Sequence, residues 1–468
     1  MTLATRTIGA ISAGAPCAVL VAACCGGFVF QADLTGVSAI LSEIVADVPS
    51  RGVAPTWLMD AYSLAMISML PAAGSIADRF GRRRLFSLGA LFFGAASVGC
   101  ALSPTFAILI ACRIGQGVAG ALLTTAGTGL LSHLYEGQAR RNAFAAVGTS
   151  IGAAVLVGPP VGLFLAQTVG WRWLLWINAP VCLAIVMLAH RAGESRDPGA
   201  AGKPIDWRGC ATLASGAALL CFVLLESRTS GLDLIWIVAI SVCAAGFFGL
   251  FIFIEGRSAY PAIELGLFRS RAFLGVSLAP VALSIGYWSL LVYVPLVARG
   301  RMHLDPVGVG WLLTCLTVPM LVMPRIGARL AARLSSRVFF ATGLIVIGLA
   351  DMLLSVSVAT DVNLVFIVLA LSLAGVGAAL INPQISAAAI AVVPGDRAAM
   401  AVAISVTMRQ FGFAVGIALL GCLANSSSFA FAFACAATIA LVGGAACYWL
   451  LSIKSPEPVA LPDVVVEV

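Results

Sequence analysis

Fourteen apolar runs, each about the length of a membrane-spanning helix, constrain this chain more than any other feature. A helix needs roughly 20 predominantly apolar residues to cross the hydrocarbon core of a bilayer. The mean hydropathy is +1.06 and only 10% of residues are charged, whereas soluble domains carry about 25%. The sequence predicts an all-α membrane protein with fourteen transmembrane helices, near residues 15–42, 55–77, 85–104, 106–131, 141–168, 172–190, 207–226, 232–255, 271–298, 307–328, 338–358, 362–391, 400–424 and 428–453.

The distribution of positive charge predicts the orientation. Most of the 27 Lys and Arg residues fall in loops on one side of the runs, and few fall on the other: Arg51, Arg172, Arg228, Arg299 and Arg301. The positive-inside rule then places both termini in the cytoplasm. The same asymmetry accounts for the net charge of +7, so we expect a lipid bilayer and no nucleic acid as partner. The first run is too long for a cleaved signal peptide and is expected to remain as a helix.

Cysteine, histidine and nucleotide-binding patterns exclude several classes of function. The thirteen cysteines fall mostly inside apolar runs and form no CxxC pair, so we expect buried thiols and no disulfide framework. The three histidines form no ligand cluster, and we expect no metal site. No Walker A pattern is present, which argues against ATP-driven pumping.

Two hydrophilic segments, 192–205 and 256–271, divide the runs into six, two and six. We expect an N-terminal six-helix bundle at 1–191, a linker with two additional helices at 192–256, a C-terminal six-helix bundle at 257–455 and a disordered cytoplasmic tail at 456–468. Gly74–Arg84 and Ala328–Arg337 each follow the second run of a six-run block and share a basic rhythm. They indicate repeated bundles of the kind common in transporters. Alternatively, both are ordinary arginine-rich loops.

The loop between the second and third runs combines glycines with clustered charges. Gly74 and Gly81 allow close approach and a tight turn, and Asp78 can pair with an arginine. The pattern resembles the loop signature of the major facilitator superfamily, G-x-L-A-D-R-x-G-R-R/K. This resemblance implies a cytoplasmic latch between the bundles in the outward-facing state, formed by Gly74, Asp78, Arg79, Gly81, Arg82 and Arg83. A simple positive anchor would explain the arginines but not Asp78 or the glycines.

Other segments resemble the fourteen-helix drug:proton antiporter branch of this superfamily: Trp57–Tyr62, Arg113–Gly117, Trp171–Pro180, Phe268–Phe273 and Arg409–Gly416. Gly158, Pro159 and Gly162 match the G-P-x-x-G core of its antiporter motif, although Ala154 and Leu163 depart from the usual glycines. Close helix packing alone also uses such residues. The resemblance implies alternating access in an inner-membrane protein that is driven by the proton gradient, needs no other cofactor and acts as a monomer.

Five ionisable residues are candidates to lie at membrane depth, away from the ends of the runs: Asp33, Asp60, Arg113, Asp351 and Arg409. Charges at membrane depth cost at least about 2.5–3.5 kcal/mol each and usually carry function. From the helix rise, Asp33, Asp60 and Arg113 should lie in the outer half of one bundle, where we predict one coupled proton and cation site. Asp60 as an interfacial residue and Asp33 as a structural polar group are the alternatives. Asp351 is either a substrate contact or a paired acid, and Arg409 is expected to serve packing or gating.

Aromatic residues and methionine accompany these charges. Met59, Tyr62, Tyr287, Trp288 and Tyr293 are candidates to line a cavity for lipophilic cations, although such residues often face lipid or core. The sequence thus predicts a non-enzymatic, proton-coupled antiporter that exports amphiphilic, cationic small molecules. A dedicated exporter of one metabolite and a non-transporting sensor or scaffold remain alternatives.

Overall fold

The structure, a computed structural model, describes residues 15–50, 52–191, 193–195, 205–226, 233–258, 261, 263–360, 364–394, 397–426 and 429–451. Almost all of these residues are helical, as predicted. The expected tail at 456–468 lies outside the described residues, as do Arg51, Arg228 and most of the linker. The helices are α1 (Ala15–Ala39), α2 (Leu41–Asp47), α3 (Trp57–Phe80), α4 (Arg82–Leu102), α5 (Phe106–Leu134), α6 (Gly137–Thr168), α7 (Arg172–Trp176), α8 (Asn178–Ala189), α9 (Trp207–Glu226), α10 (Leu234–Glu255), α11 (Arg271–Leu283), α12 (Leu290–Gly300), α13 (Pro306–Thr317), α14 (Pro319–Val322), α15 (Pro324–Arg333), α16 (Ser336–Ala359), α17 (Leu364–Ile381), α18 (Ile385–Ala391), α19 (Ala398–Ser426) and α20 (Phe429–Leu450).

Twelve helical segments among the described residues are long and apolar enough to cross a bilayer. The other two predicted runs correspond to α3, which carries Asp60, Asp78 and Arg79, and to the consecutive helices α13–α15. The count of fourteen crossings therefore stays a prediction.

Local chemistry explains where several helices begin, bend and end. The Thr105 hydroxyl accepts a hydrogen bond from Ile108 N at the start of α5, and the Asp305 carboxylate accepts one from Gly308 N at the start of α13. Between α11 and α12, Ser284–Trp288 form a π-helical turn, in which Ser289 N donates to Ser284 O at 3.2 Å. Such turns widen a helix locally and are frequent at functional sites.

The two six-run blocks share one packing pattern. In the first block α1 packs on α6 and α8, α5 on α3 and α4, and α4 on α8. In the second block α11 packs on α19 and α20, α17 on α13 and α16, and α16 on α20. When the spans are numbered from the start of each block, the same numbers pack together in both blocks. This is the arrangement that a repeated bundle predicts, while the exact boundaries at 191, 256 and 455 stay a prediction.

The blocks meet along two seams, α3 against α19 and α6 against α13 and α14. The intervening helix α9 packs against both α3 and α19, and α10 packs on α9. Glu226, at the end of α9, accepts hydrogen bonds from Trp57 Nε1 at 2.9 Å and Ala54 N at 3.2 Å. The additional helices are thereby attached beside the first seam.

Candidate functional site

Asp33 lies at the centre of a buried polar network inside the first block. Its Oδ1 accepts hydrogen bonds from Asn178 Nδ2 at 2.8 Å and Gln116 Nε2 at 3.3 Å, and its Oδ2 pairs with Arg113. These residues come from α1, α5 and α8, so the network joins three helices. Asp33 and Arg113 are each 1% exposed, and the predicted proximity of these two residues is present.

The Arg113 guanidinium is held from several directions. Its Nε donates to Leu58 O at 3.2 Å and its Nη1 to Gln116 Oε1 at 2.9 Å. The guanidinium carbon lies 4.5 Å from the centroid of the Tyr62 ring, which also stacks on Phe30. Tyr62 therefore supports the ion pair from inside the block.

Asp60 takes no part in this hydrogen-bond network in the structure, and the coupled site of Asp33, Asp60 and Arg113 stays a prediction. Both Asp60 oxygens are buried without a hydrogen-bond partner among the described residues. Its charge lies close to Cys221 of α9 and Tyr293 of α12. Tyr62 packs on Arg113, and Asp60, two positions earlier, points elsewhere because residues i and i+2 of a helix do not share a face. Asp60 thus sits where the first block, the additional helices and the second block meet.

Asp351 of α16 is a second buried acid, in the second block. It is 1% exposed, and both carboxylate oxygens lack a hydrogen-bond partner in the described part of the chain. A Cβ built on Gly286 would lie 3.2 Å from Asp351 Oδ2, so this acid lies beside the π-helical turn.

The other predicted cavity residues divide between core and cavity. Met59 is fully buried, Tyr287 donates to Leu316 O at 3.3 Å, and Tyr293 donates to Ile417 O. Trp288 and Arg409, in contrast, line a small cavity between the blocks, of about 10 Å³. We call it the inter-block cavity; its lining residues are Gln31, Leu34, Trp288, Arg409, Gln410 and Phe413. Gln31 was not predicted, although a glutamine inside an apolar run was a signal for it.

The predicted latch loop makes a tight turn between α3 and α4. Gly81 has a φ of +112°, a conformation that favours glycine. Arg82 Nη2 lies 2.7 Å from Asp78 Oδ1, and Arg82 Nη1 donates to Gly129 O at 3.4 Å. A Cβ added to Gly74 would lie 3.9 Å from Thr125 Cγ2, which is ordinary contact. The Arg79 guanidinium lies over the Phe80 ring.

Glu194, in the segment after α8, completes this loop and was not predicted. Its Oε1 accepts a hydrogen bond from Arg83 N at 3.1 Å, and its Oε2 lies 3.5 Å from Arg83 Nε and 3.7 Å from Arg84 Nε. A Cβ on Gly81 would come within 2.5 Å of Glu194 Oε1. These contacts tie the loop to the end of the first block. That this loop latches the two bundles to each other stays a prediction.

The glycines of the predicted antiporter motif bring α6 against α1. A Cβ on Gly158 would come within 2.2 Å of Thr35 Oγ1, and one on Gly162 within 3.0 Å of Gly36 O. Pro159 lies inside α6 between them. The motif therefore makes the closest approach of these two helices possible.

A family model described as Major Facilitator Superfamily matches residues 23–278 and 276–465. This chain belongs to the Major Facilitator Superfamily. The predicted family and the predicted all-α major-facilitator fold are both confirmed. Together with the apolar helices, membership of this superfamily makes the chain a multi-pass membrane transporter and not an enzyme.

Curated relatives extend over most of the chain. It is 26% identical over 399 residues to "Multidrug transporter protein MdtP" of Bacillus subtilis (strain 168). The aligned region covers 84% of this chain and 72% of that protein. It is 29% identical over 395 residues to "Multidrug resistance protein B homolog" of Mycobacterium tuberculosis (strain ATCC 25618 / H37Rv), with 84% and 73% covered.

Solved superfamily structures resemble this one in fold. A D-xylose-proton symporter superposes with a TM-score of 0.68 at 15% identity, covering 92% of this chain and 97% of that chain. A POT family transporter in complex with a thioalcohol conjugated peptide superposes with a TM-score of 0.69 at 16% identity, covering 91% and 94%. At these identities the likeness concerns the fold alone.

Proposed function

We propose that this protein exports amphiphilic small molecules across the cytoplasmic (inner) membrane in exchange for protons, with both termini in the cytoplasm. The multidrug names of the two relatives support the substrate class. The positive charge of the loops supports the orientation. Alternating access of two blocks around a site at their interface is the mechanism that this fold favours.

The two ends of the molecule support a cycle of this kind. At the end predicted to be outside, Glu43 of α2 pairs with Arg299 of α12, so an ion pair joins the two blocks there. At the opposite end, a cavity of about 850 Å³ lies between α3, α9, α10 and the second block, with Ser75, Asp206 and Arg397 in its lining. This ion pair and this cavity, at opposite ends of the molecule, support a cycle in which the outer end is closed while the cytoplasmic end is accessible.

The observation that carries proton coupling is the contrast between two buried acids in the first block. Asp33 is satisfied by Arg113, Gln116 and Asn178, whereas Asp60 has no hydrogen-bond partner among the described residues. A carboxyl moves a proton when one conformation stabilises its charge and another withdraws that support. Asp33 has surroundings that stabilise its charge, and Asp60 has surroundings that do not. Rocking of the blocks would change the surroundings of both acids.

The predicted preference for cations requires a carboxylate that faces the substrate. Asp33 is engaged by Arg113, so Asp60 and Asp351 remain for that role, and neither is among the residues that line the inter-block cavity. The exported class is therefore defined here by its amphiphilic character. A dedicated exporter of one metabolite could use the same buried acids. It would differ in transporting only one compound when several amphiphiles are tested.

Transport by purified protein in proteoliposomes under an imposed pH gradient tests this function, with a panel of cationic, neutral and anionic amphiphiles. We expect gradient-driven flux of several compounds. Asp33→Asn and Asp60→Asn should reduce that flux to background while proton-independent counterflow persists. Asp47→Asn, at an exposed pair with Arg172, is the matched control and should keep full flux. Absence of gradient-dependent flux for every compound would favour a sensor or scaffold.

A further inference from the structure

The inter-block cavity presents hydrogen-bond donors that no described residue satisfies. Trp288 Nε1 and Gln31 Nε2 are fully buried and have no hydrogen-bond partner in the part of the chain that the structure describes, and their residues are only 4% and 3% exposed. A buried polar group without a partner costs roughly 1–3 kcal/mol, so its retention calls for an explanation. Both residues line the same cavity.

Arg409 adds an uncompensated positive charge to this cavity. The side chain is partly buried in the middle of α19, and within the described residues it has neither an ion pair nor a hydrogen bond. Asp33, which lies in α1 between the cavity-lining residues Gln31 and Leu34, is paired with Arg113. An unpaired guanidinium at membrane depth marks a functional site by default.

The polar chemistry of the cavity points to one kind of ligand group. An indole N–H and a guanidinium can donate hydrogen bonds but cannot accept them. The Gln31 amide can donate and accept, and its donor Nε2 is the atom without a partner among the described residues. The amide of Gln410, which also lines the cavity, already donates to Met66 Sδ at 3.2 Å. Leu34 and Phe413 supply apolar walls beside these donors. A ligand that fits must therefore bring acceptor atoms with negative charge, next to an apolar body.

We infer that the inter-block cavity binds the anionic oxygen group of an amphiphile, a carboxylate or a similar oxyanion, with Arg409 pairing with the charge and Trp288 and Gln31 donating to its oxygens. The inference rests on the proposed export function, because it names the substrate class for the same interface between the blocks. It departs from the cationic substrate predicted from the sequence.

The cavity is small in this structure. Its volume of about 10 Å³ has room for a single water molecule. Gln31 and Leu34 come from the first block, whereas Trp288 and Arg409 come from the second. The donors therefore converge on one ligand only when the blocks rearrange around it, as alternating access requires.

Binding of three probes with the same naphthalene body tests this inference: 1-naphthoate, 1-naphthamide and 1-naphthylmethylammonium. The full-length protein is placed in nanodiscs of uncharged phosphatidylcholine, and empty nanodiscs report partitioning into lipid. We expect 1-naphthoate to bind about tenfold more tightly than the ammonium probe, since charge-assisted hydrogen bonds are the stronger ones.

Variants assign the selectivity to the cavity. Arg409→Gln should weaken 1-naphthoate about tenfold and leave 1-naphthamide within about twofold, whereas Arg409→Lys should keep the preference for the anion. Trp288→Phe should weaken both acceptor probes by about threefold, because one donor is lost. Arg301→Gln is the control, since Arg301 donates to Val358 O in the second block away from the cavity.

Two results would overturn the inference. One is tighter binding of the ammonium probe by the wild-type protein, a measurement that needs no variant to fold. The other is an equal loss for all three probes in Arg409→Gln. Gradient-driven flux of the ammonium probe alone, unchanged in Arg409→Gln, would reject this site and leave proton-coupled export standing. Anion-selective binding without gradient-driven flux would reject the export function and leave the site.

Discussion

The Asp33–Arg113 pair shows how one buried charge depends on another. Both side chains are almost completely buried, and Gln116 contacts both partners. Breaking a buried pair by removing one partner leaves an uncompensated charge, which costs about 3–5 kcal/mol. The two partners differ, however, because a carboxyl can take up a proton whereas a guanidinium cannot lose one.

We therefore predict that Asp33→Asn lowers the unfolding free energy by about 3–5 kcal/mol and that Arg113→Gln lowers it by less. The double variant should recover part of the loss, because no lone charge remains. Denaturant unfolding of the purified protein in mixed micelles measures all three. Equal stability of Asp33→Asn and the wild-type protein would mean that Asp33 does not carry the negative charge of this pair.

The contact between α1 and α6 is set by glycines at one level of each helix. Gly36 lies against Gly158 and Gly162, and the Thr35 hydroxyl contacts Ala154 O at 3.4 Å. Extra atoms in such a contact force the helices apart, which typically costs about 1–3 kcal/mol. Helix α6 also carries Gly148, where an added Cβ would meet no atom within 4 Å.

Gly158→Ala is expected to destabilise the protein by about 1–3 kcal/mol, and Gly148→Ala to leave it unchanged or slightly more stable. Thermal unfolding followed by size-exclusion chromatography compares the two. Adding Thr35→Ala to Gly158→Ala should restore part of the stability, because Thr35 Oγ1 is the nearest obstacle. If both alanine variants behave alike, the close approach of α1 and α6 does not limit stability.

Across the whole molecule, Glu43 and Arg299 join the ends of the two blocks that are predicted to face outside. Burial raises the pKa of Glu43 above its ordinary value, and the charge of Arg299 offsets this only in part. When the blocks separate at this end, Glu43 regains water and its pKa returns toward about 4.3. The closed form therefore holds the Glu43 proton more tightly than the open form. Closure at this end is favoured as pH falls from the raised pKa toward the ordinary value.

Arg299→Gln should raise the pKa of Glu43 further and weaken closure at neutral pH, with closure restored by acid. Hydrogen exchange of α2 and the end of α12, corrected for intrinsic rates, is expected to rise about threefold or more at neutral pH. Glu43→Gln should stay protected at every pH, because it mimics the protonated acid. Full protection of Arg299→Gln at neutral pH would contradict this account.

The amino-acid sequence predicts the fold and part of the site for physical reasons that can be named. Apolar length and charge asymmetry depend on the bilayer, so they predict spans without knowledge of packing. The pairing of Asp33 with Arg113 followed from comparable depth in neighbouring spans. The role of Glu194 depends on how the segment after α8 packs against the loop between α3 and α4. The separation of Asp60 and the position of Gln31 depend on how each helix is rotated about its axis. That rotation is set by contacts between distant segments, which residue spacing does not determine.

Because of the placement of α9, the two seams between the blocks differ in their exposure to lipid. Beside α3 and α19, α9 stands between the seam and the acyl chains, because it packs on both helices. Along the α6 seam, Phe164 and Trp311 are 64% and 68% exposed, so their faces meet lipid directly. When the blocks tilt, acyl chains can follow the opening on that side and are blocked by α9 on the other. Bilayer thickness and lateral pressure should therefore act on the conformational equilibrium mainly from one flank of the protein.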